Sequence, residues 1–200
     1  MSLILDGTNG ETFPSWTTAT RPASPAVGQM GYNTTTGQFD AYTSTGWTTV
    51  ANSGNAPVSG PAFSAYLNTT QATSSGVLTK VTCNTKEFDT ASAYDNATNY
   101  RFTPLVAGYY QVTGEIQYAA TVSTAVCTAI LYKNGSQFKT GAQIHGSTTK
   151  AIGSIVSALV YFNGTTDYVE LYAYQDTGFS QNLNGSAANV YFQACMLRSA

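Results

Sequence analysis

Two Asn-Gly pairs limit the folds open to this chain more than any other feature. Lys133-Asn134-Gly135-Ser136 lies between Ala129-Ile130-Leu131-Tyr132 and Gln137-Phe138-Lys139, and Asn163-Gly164 lies between Val160-Tyr161-Phe162 and Tyr168-Val169-Glu170-Leu171. Asn and Gly accept the positive φ angles of a two-residue type I′ turn, so each pair predicts a β-hairpin. Strand-like runs recur at 62–67, 77–83, 100–102, 109–118, 126–132, 152–162, 168–174 and 190–197, rich in β-branched and aromatic residues and bounded by turn signals. No stretch keeps an apolar period of 3.6 over a helical length. Many short strands closing one core predict an all-β sandwich, barrel or jelly roll.

The segment before these strands is of another kind. Residues 31–50, GYNTTTGQFDAYTSTGWTTV, alternate around Tyr32, Phe39, Tyr42 and Trp47 and hold one charged residue, Asp40. They predict a small meander that cannot bury enough apolar surface to stand alone. Small residues and prolines at 51–61, ANSGNAPVSGP, read as a linker. The organisation expected is therefore an extended N-terminal peptide over 1–21, a meander collar over 22–52, a linker over 53–61 and a head domain over 62–200.

Charge narrows the function. Charged residues make up 9% of the 200 positions and the net charge is −2, against roughly 25% charged residues in an average globular protein. Without a cluster of Lys or Arg there is no footprint for nucleic acid or anionic lipid. The start, Met-Ser-Leu-Ile-Leu-Asp-Gly, lacks the basic and apolar regions of a signal peptide, and no later run approaches a membrane span. The expectation is synthesis in the cytosol without membrane insertion. Cys83, Cys127 and Cys195 are an odd number without Cys-x-x-Cys spacing, which predicts buried free thiols.

Within the head, Phe102-Thr-Pro-Leu-Val-Ala-Gly108-Tyr109-Tyr110-Gln111-Val112 resembles the signature of the complement globular-head domain, a relative of the tumour-necrosis-factor jelly roll. Phe102, Gly108 and Tyr110 fall in register with it. Asp89 and Tyr94 resemble its upstream acidic and aromatic positions, with one extra residue before Phe102, while Val112 and Gly114 stand where the family has aromatics. The run 188–197 looks like the last strand of that domain, so the resemblance covers about 61–200. It implies a jelly-roll β-sandwich that assembles as a homotrimer, with Phe102, Tyr109, Tyr110, Val112 and Tyr191 in the core or the trimer interface. Tyr109 and Gln111 fall on the face opposite Tyr110 and Val112. Tyr161, Tyr168, Tyr172 and Tyr174 also read as core or interface, with sugar stacking as the other use of such tyrosines.

The run from Arg21 to Trp47 looks like the short hairpin module of bacteriophage fibre proteins, and Leu5-Asp6-Gly7-Thr8-Asn9-Gly10 resembles their N-terminal peptides. The order of anchor, hairpin and head implies a virion appendage assembled in the host cytoplasm: a tail fibre or spike, or else a capsid head fibre or decoration protein. Leu3, Leu5, Phe13 and Trp16 are then expected to attach it to other virion proteins. The head would bind a host-surface glycan or protein, with loop residues Asp95, Asn96, Asn99, Asn182 and Asn184 as candidate contacts. A glycan depolymerase or a free lectin- or cytokine-like module are the other classes.

Catalytic and metal chemistry find little support. His145 is the one imidazole and has no carboxylate near it in sequence. Glu87, Asp89 and Asp95 cluster as weak calcium candidates, but calcium loops carry a denser acidic pattern. No cofactor and no enzymatic activity are expected.

Overall fold

A computed structural model describes residues 5–6, 10–11, 13–50, 60–119 and 124–200. The chain divides into two compact units, Met1–Val58 and Ser59–Ala200, both built from strands.

In the first unit Leu5–Asp6 pairs with Gly10–Glu11, and a separate four-stranded sheet follows in the order Ser15–Trp16, Met30–Asn33, Gln38–Thr43, Gly46–Thr49. The last three strands form the antiparallel meander that alternation predicts. The first joins it in parallel, Trp16 opposite Asn33, so part of the segment read as an extended peptide is a strand of the collar's own sheet. Strand alternation places Trp16, Asn33 and Asp40 on one face and Tyr32 and Phe39 on the other. The indole of Trp16 lies over Gly31, where any Cβ would come within 2.3 Å of the ring; only glycine permits that approach.

The second unit packs two sheets face to face. One runs Thr85–Asp89, Ala62–Tyr66, Tyr191–Ser199, Gly108–Tyr118, Gln181–Leu183, Gln71–Thr73, and the long Ile152–Phe162 strand also pairs with Gly108–Tyr118. The other runs Tyr94–Asp95, Arg101–Phe102, Val169–Gln175, Val126–Lys133, Ser136–Thr140, with Thr79–Lys80 and Ile144–His145 added at its strands. Between them lies an aromatic core: the Phe63 ring stacks on Tyr94 and on Phe102 at 4.6 Å each, and Phe102 meets Tyr110 and Phe162 edge-on. Gly114, where the resembled family has an aromatic, is filled from the facing sheet, since a Cβ there would sit 2.5 Å from a methyl of Leu171. Two packed sheets of this kind form the all-β jelly roll that the resemblance implies.

The two Asn-Gly pairs part company. Asn134 and Gly135 have φ of 53° and 77° and join Val126–Lys133 to Ser136–Thr140 as a hairpin. Asn163-Gly164 makes no hairpin, because Ile152–Phe162 and Val169–Gln175 belong to different sheets. There Asn163 Oδ1 accepts from the backbone N–H groups of Thr165, Thr166 and Asp167, turning the chain across the sandwich with only Gly164 at positive φ. The Thr85–Asp89 strand escapes a reading by alternation because it is a short edge strand whose Phe88 is exposed. No helix among the described residues is long and apolar enough to cross a membrane.

Candidate functional site

Strand period fixes what the first sheet shows to the outside. In Gly108–Tyr118 the even-numbered residues from Gly108 to Tyr118 are buried and the odd ones lie outward. Ile152–Phe162 and Tyr191–Ser199 run antiparallel on either side, with Tyr109 opposite Tyr161 and Gln111 opposite both Leu159 and Cys195. Most sheets cover such a face with polar side chains. Here Leu159 is 61% exposed, Leu197 59% and Tyr109 47%, and Ile155 and Tyr161 are exposed beside them. The Tyr109 and Tyr161 rings lie 5.4 Å apart. Together with Leu159, Leu197 and the C-terminal Arg198–Ala200 they line an open depression of about 610 Å³. A polar seam crosses the middle of the face, where Gln111 Nε2 donates to Ser157 Oγ at 2.7 Å and Ser157 shares a hydrogen with Thr113 Oγ1 at 2.9 Å. Exposed apolar patches rimmed by polar groups mark interaction surfaces rather than chemistry.

The residues assigned to core or interface separate by parity. Phe102, Tyr110 and Val112 are completely buried between the sheets, whereas Tyr109 and Tyr191 look outward. Burial, with Glu115 accepting beside it, pushes the Tyr191 hydroxyl up to about 12. Tyr161 belongs to the same outward face; Tyr172 and Tyr174 are half-buried on the outside of the second sheet, not in the core. Cys83 and Cys127 are buried free thiols, and burial pushes Cys83 to about 12, but Cys195 is exposed. Its odd position on the last strand sends it outward.

Of the attachment candidates, Leu3 lies outside the described residues, and Leu5 is seen only through its backbone pairing with Glu11. Phe13 is exposed and meets Phe39 edge-on at 5.3 Å. Trp16 is buried and serves the interior of the N-terminal sheet, its Nε1 donating to Asp40 at 3.4 Å. The same Asp40 Oδ2 accepts from Asn33 Nδ2 and Arg21 Nε, both at 2.9 Å, with the Arg21 guanidinium paired to it at 2.8 Å. Burial alone raises the Asp40 carboxyl, but the bonds from Asn33, Arg21 and Trp16 outweigh it and hold the group below the usual carboxylate range.

The loop candidates are largely committed to their own loops. Asp95 accepts from the N–H groups of Ala97, Thr98 and Asn99 and from Asn99 Nδ2, which together lower its carboxyl strongly. Asn96 donates to the Asn84 carbonyl and Asn184 to Gln117 Oε1; Asn182 is exposed. The acids named for calcium do not converge. Glu87 accepts the Ser64 hydroxyl at 2.6 Å, and Asp89 holds Lys86 and the N–H groups of Ala93 and Tyr94. No group of three or more His, Cys, Asp or Glu among the described residues is placed to hold a metal ion. His145 is exposed on a two-residue edge strand opposite Val126.

Sequence reasoning overlooked Leu159 and Leu197. Its signal was present in Ile152–Phe162, where Ile155, Leu159 and Tyr161 are apolar at odd positions while Val156, Val160 and Phe162 are apolar at even ones. A strand apolar on both parities signals an outward face that is apolar as well as the buried one.

No protein-family model matches the chain, and no curated protein does. Solved structures do resemble it. The Eiger TNF of S. frugiperda aligns at 14% identity over 70% of this chain and 95% of its own, with a TM-score of 0.54. The globular domain of zebrafish complement 1qA aligns at 15% identity over 70% and 99%, TM-score 0.50. The PRD1 vertex protein P5 aligns at 16% identity over 69% and 97%, TM-score 0.51. At these identities the likeness establishes the fold.

Proposed function

We propose that this chain is a non-enzymatic structural protein of a bacteriophage particle. It forms a homotrimeric fibre- or spike-type appendage that attaches through its N-terminal region and presents the jelly-roll head to the host surface. The observation that carries this reading is the uncovered face of Tyr109, Leu159, Tyr161 and Leu197, which three copies arranged about one axis would bury. The fold shared with the PRD1 vertex protein supports a place in a virion, as does the run of fibre-like motifs ahead of the head. In the N-terminal unit, exposed Phe13, Tyr32 and Phe39 offer the apolar surface for a virion partner, while Trp16 and Arg21 hold the unit together.

A second reading, a capsid head fibre or decoration protein, is favoured by the word "vertex" in the name of that same neighbour. Cryo-electron microscopy of the particle separates the two: density at the tail supports the appendage, density at capsid faces or vertices the decoration protein, and absence from the particle overturns both. Light scattering of the purified chain tests the trimer. Three copies are expected, and Leu159→Arg with Leu197→Arg should reduce the mass to one copy; a wild-type monomer at micromolar concentration overturns the assembly. Phe13→Ser with Phe39→Ser, which leaves Trp16 and Arg21 in place, should abolish particle attachment without changing the trimer mass.

A further inference from the structure

The outside of the second sheet differs from the apolar face in chemistry. On Val169–Gln175 the outward side chains are Glu170, Tyr172 and Tyr174, preceded by Tyr168 on the same parity, and Arg101 and Tyr132 stand opposite Glu170 on the two neighbouring strands. The rings of Tyr172 and Tyr132 stack at 4.1 Å. Lys80 neutralises Glu170 as an ion pair and donates to the Asn99 carbonyl at 3.3 Å, which ties the 95–99 loop to the sheet. Arg101 is left over. Its guanidinium lies 4.4 Å from the Tyr168 ring centre and forms no ion pair among the described residues. Asp95, its register partner, turns its carboxylate into its own loop. Between the two, Tyr100 is held at a φ of 51°, a conformation that bulky residues adopt where the surroundings enforce it.

A ring-backed guanidinium without a partner matches a planar carboxylate or a phosphate. Flat aromatic rings beside it match the apolar face of a sugar. Tyr168, just before the strand, and Tyr172 within it are four residues apart, about 13 Å of extended backbone, a span that linked sugars cover and a single one does not. We propose that this face binds an acidic oligosaccharide, with Arg101 receiving its carboxylate or phosphate and Tyr132, backed by the stacked Tyr172 ring, offering its other face to a pyranose ring. The inference rests on the reading of the head as the outward-facing, host-binding domain.

The test is the purified full chain on a printed array of neutral, uronate-bearing and phosphate-bearing oligosaccharides. Acidic members should bind at least tenfold more tightly than their neutral counterparts, and the binding should weaken with added salt. Arg101→Met should weaken it about tenfold or more, and Arg101→Lys, which keeps the charge and the stem but loses the fork, should fall between. Tyr172→Ala should weaken binding as well, with far-UV circular dichroism and mass unchanged in each variant. Failure of every acidic member to bind, or binding untouched by Arg101→Met and Arg101→Lys, overturns the site. A chain that binds but is absent from the particle overturns the virion reading alone; one present on the particle that binds no acidic member overturns this inference alone.

Discussion

In the head, Phe63, Tyr94, Phe102, Tyr110, Phe162 and Phe192 are all buried and touch one another ring to ring. In the N-terminal unit the buried side chains among residues 13–50 are Trp16, Asn33 and Asp40, an indole over a hydrogen-bonded amide and carboxylate. The head is held by apolar packing, whose strength scales with area removed from water. The smaller sheet has too little area for that and gathers its strands around one charge: Arg21 from the loop, Trp16 from the edge strand and Asn33 from the middle all donate to Asp40. The contrast teaches how size sets the means of cohesion. It also implies that the two units fail under different insults, and both tryptophans, Trp16 and Trp47, lie in the smaller one. Tryptophan fluorescence therefore reports the N-terminal unit, and tyrosine signals report mostly the head.

The largest effect expected is on the head. Phe63→Ala removes a ring that contacts Tyr94, Phe102 and Phe192 and should cost about 3–5 kcal/mol. Guanidinium titration should show an earlier tyrosine transition and an unmoved tryptophan one; a shared shift would mean that the units unfold together. Next comes Asp40→Ala, which strands the donors of Asn33 and Trp16 in the interior and frees Arg21 to solvent. A loss of ~3 kcal/mol is expected, enough to melt so small a unit, seen as a red shift of tryptophan emission with the head's circular dichroism retained. Smaller again is Gly114→Val, which forces Leu171 off the 2.5 Å approach and should cost about 1–3 kcal/mol of head stability by overpacking.

The head's architecture was legible because period two and turn chemistry are local. Asn134-Gly135 gave its hairpin, and Phe102, Tyr110 and Val112 their parity. What escaped was non-local. The same Asn-Gly pair at 163–164 crosses between sheets because Asn163 satisfies three backbone N–H groups itself, and nothing in the pair says which strand follows. Alternation assigns Tyr172 and Tyr174 to one side of a strand but does not say which side faces the other sheet. Trp16 read as an attachment residue because its parallel pairing with Asn33, seventeen positions on, leaves no local signal. Asp40 stood out in the sequence only as the one charge of the meander; the signal left unused was that a lone acid among aromatics has to be paired and that Arg21 is the nearest upstream cation.

Acid is the gentlest way to separate the units, since protonation leaves the Asp40 side chain in place and removes only its charge. Its folded carboxyl is held below the ordinary value of 3.8, so the unfolded chain binds the proton more readily. Stability from the group is then complete above the unfolded value and is lost as pH falls through the lower folded one. Asp89, Asp95 and Asp167 in the head are lowered in the same sense, burial being outweighed at Asp89 by bonds from Lys86 and at Asp167 by bonds from Asn134 and Lys133, while the N–H groups of its own loop lower Asp95, but all three sit at turns around a core that does not titrate in acid. Between pH 5 and pH 2 the tryptophan emission should shift red before the head loses its tyrosine signal, and Asp40→Asn should flatten the first transition while leaving the second. If both transitions kept one midpoint in the variant, the charge at Asp40 would not be what holds the smaller sheet together.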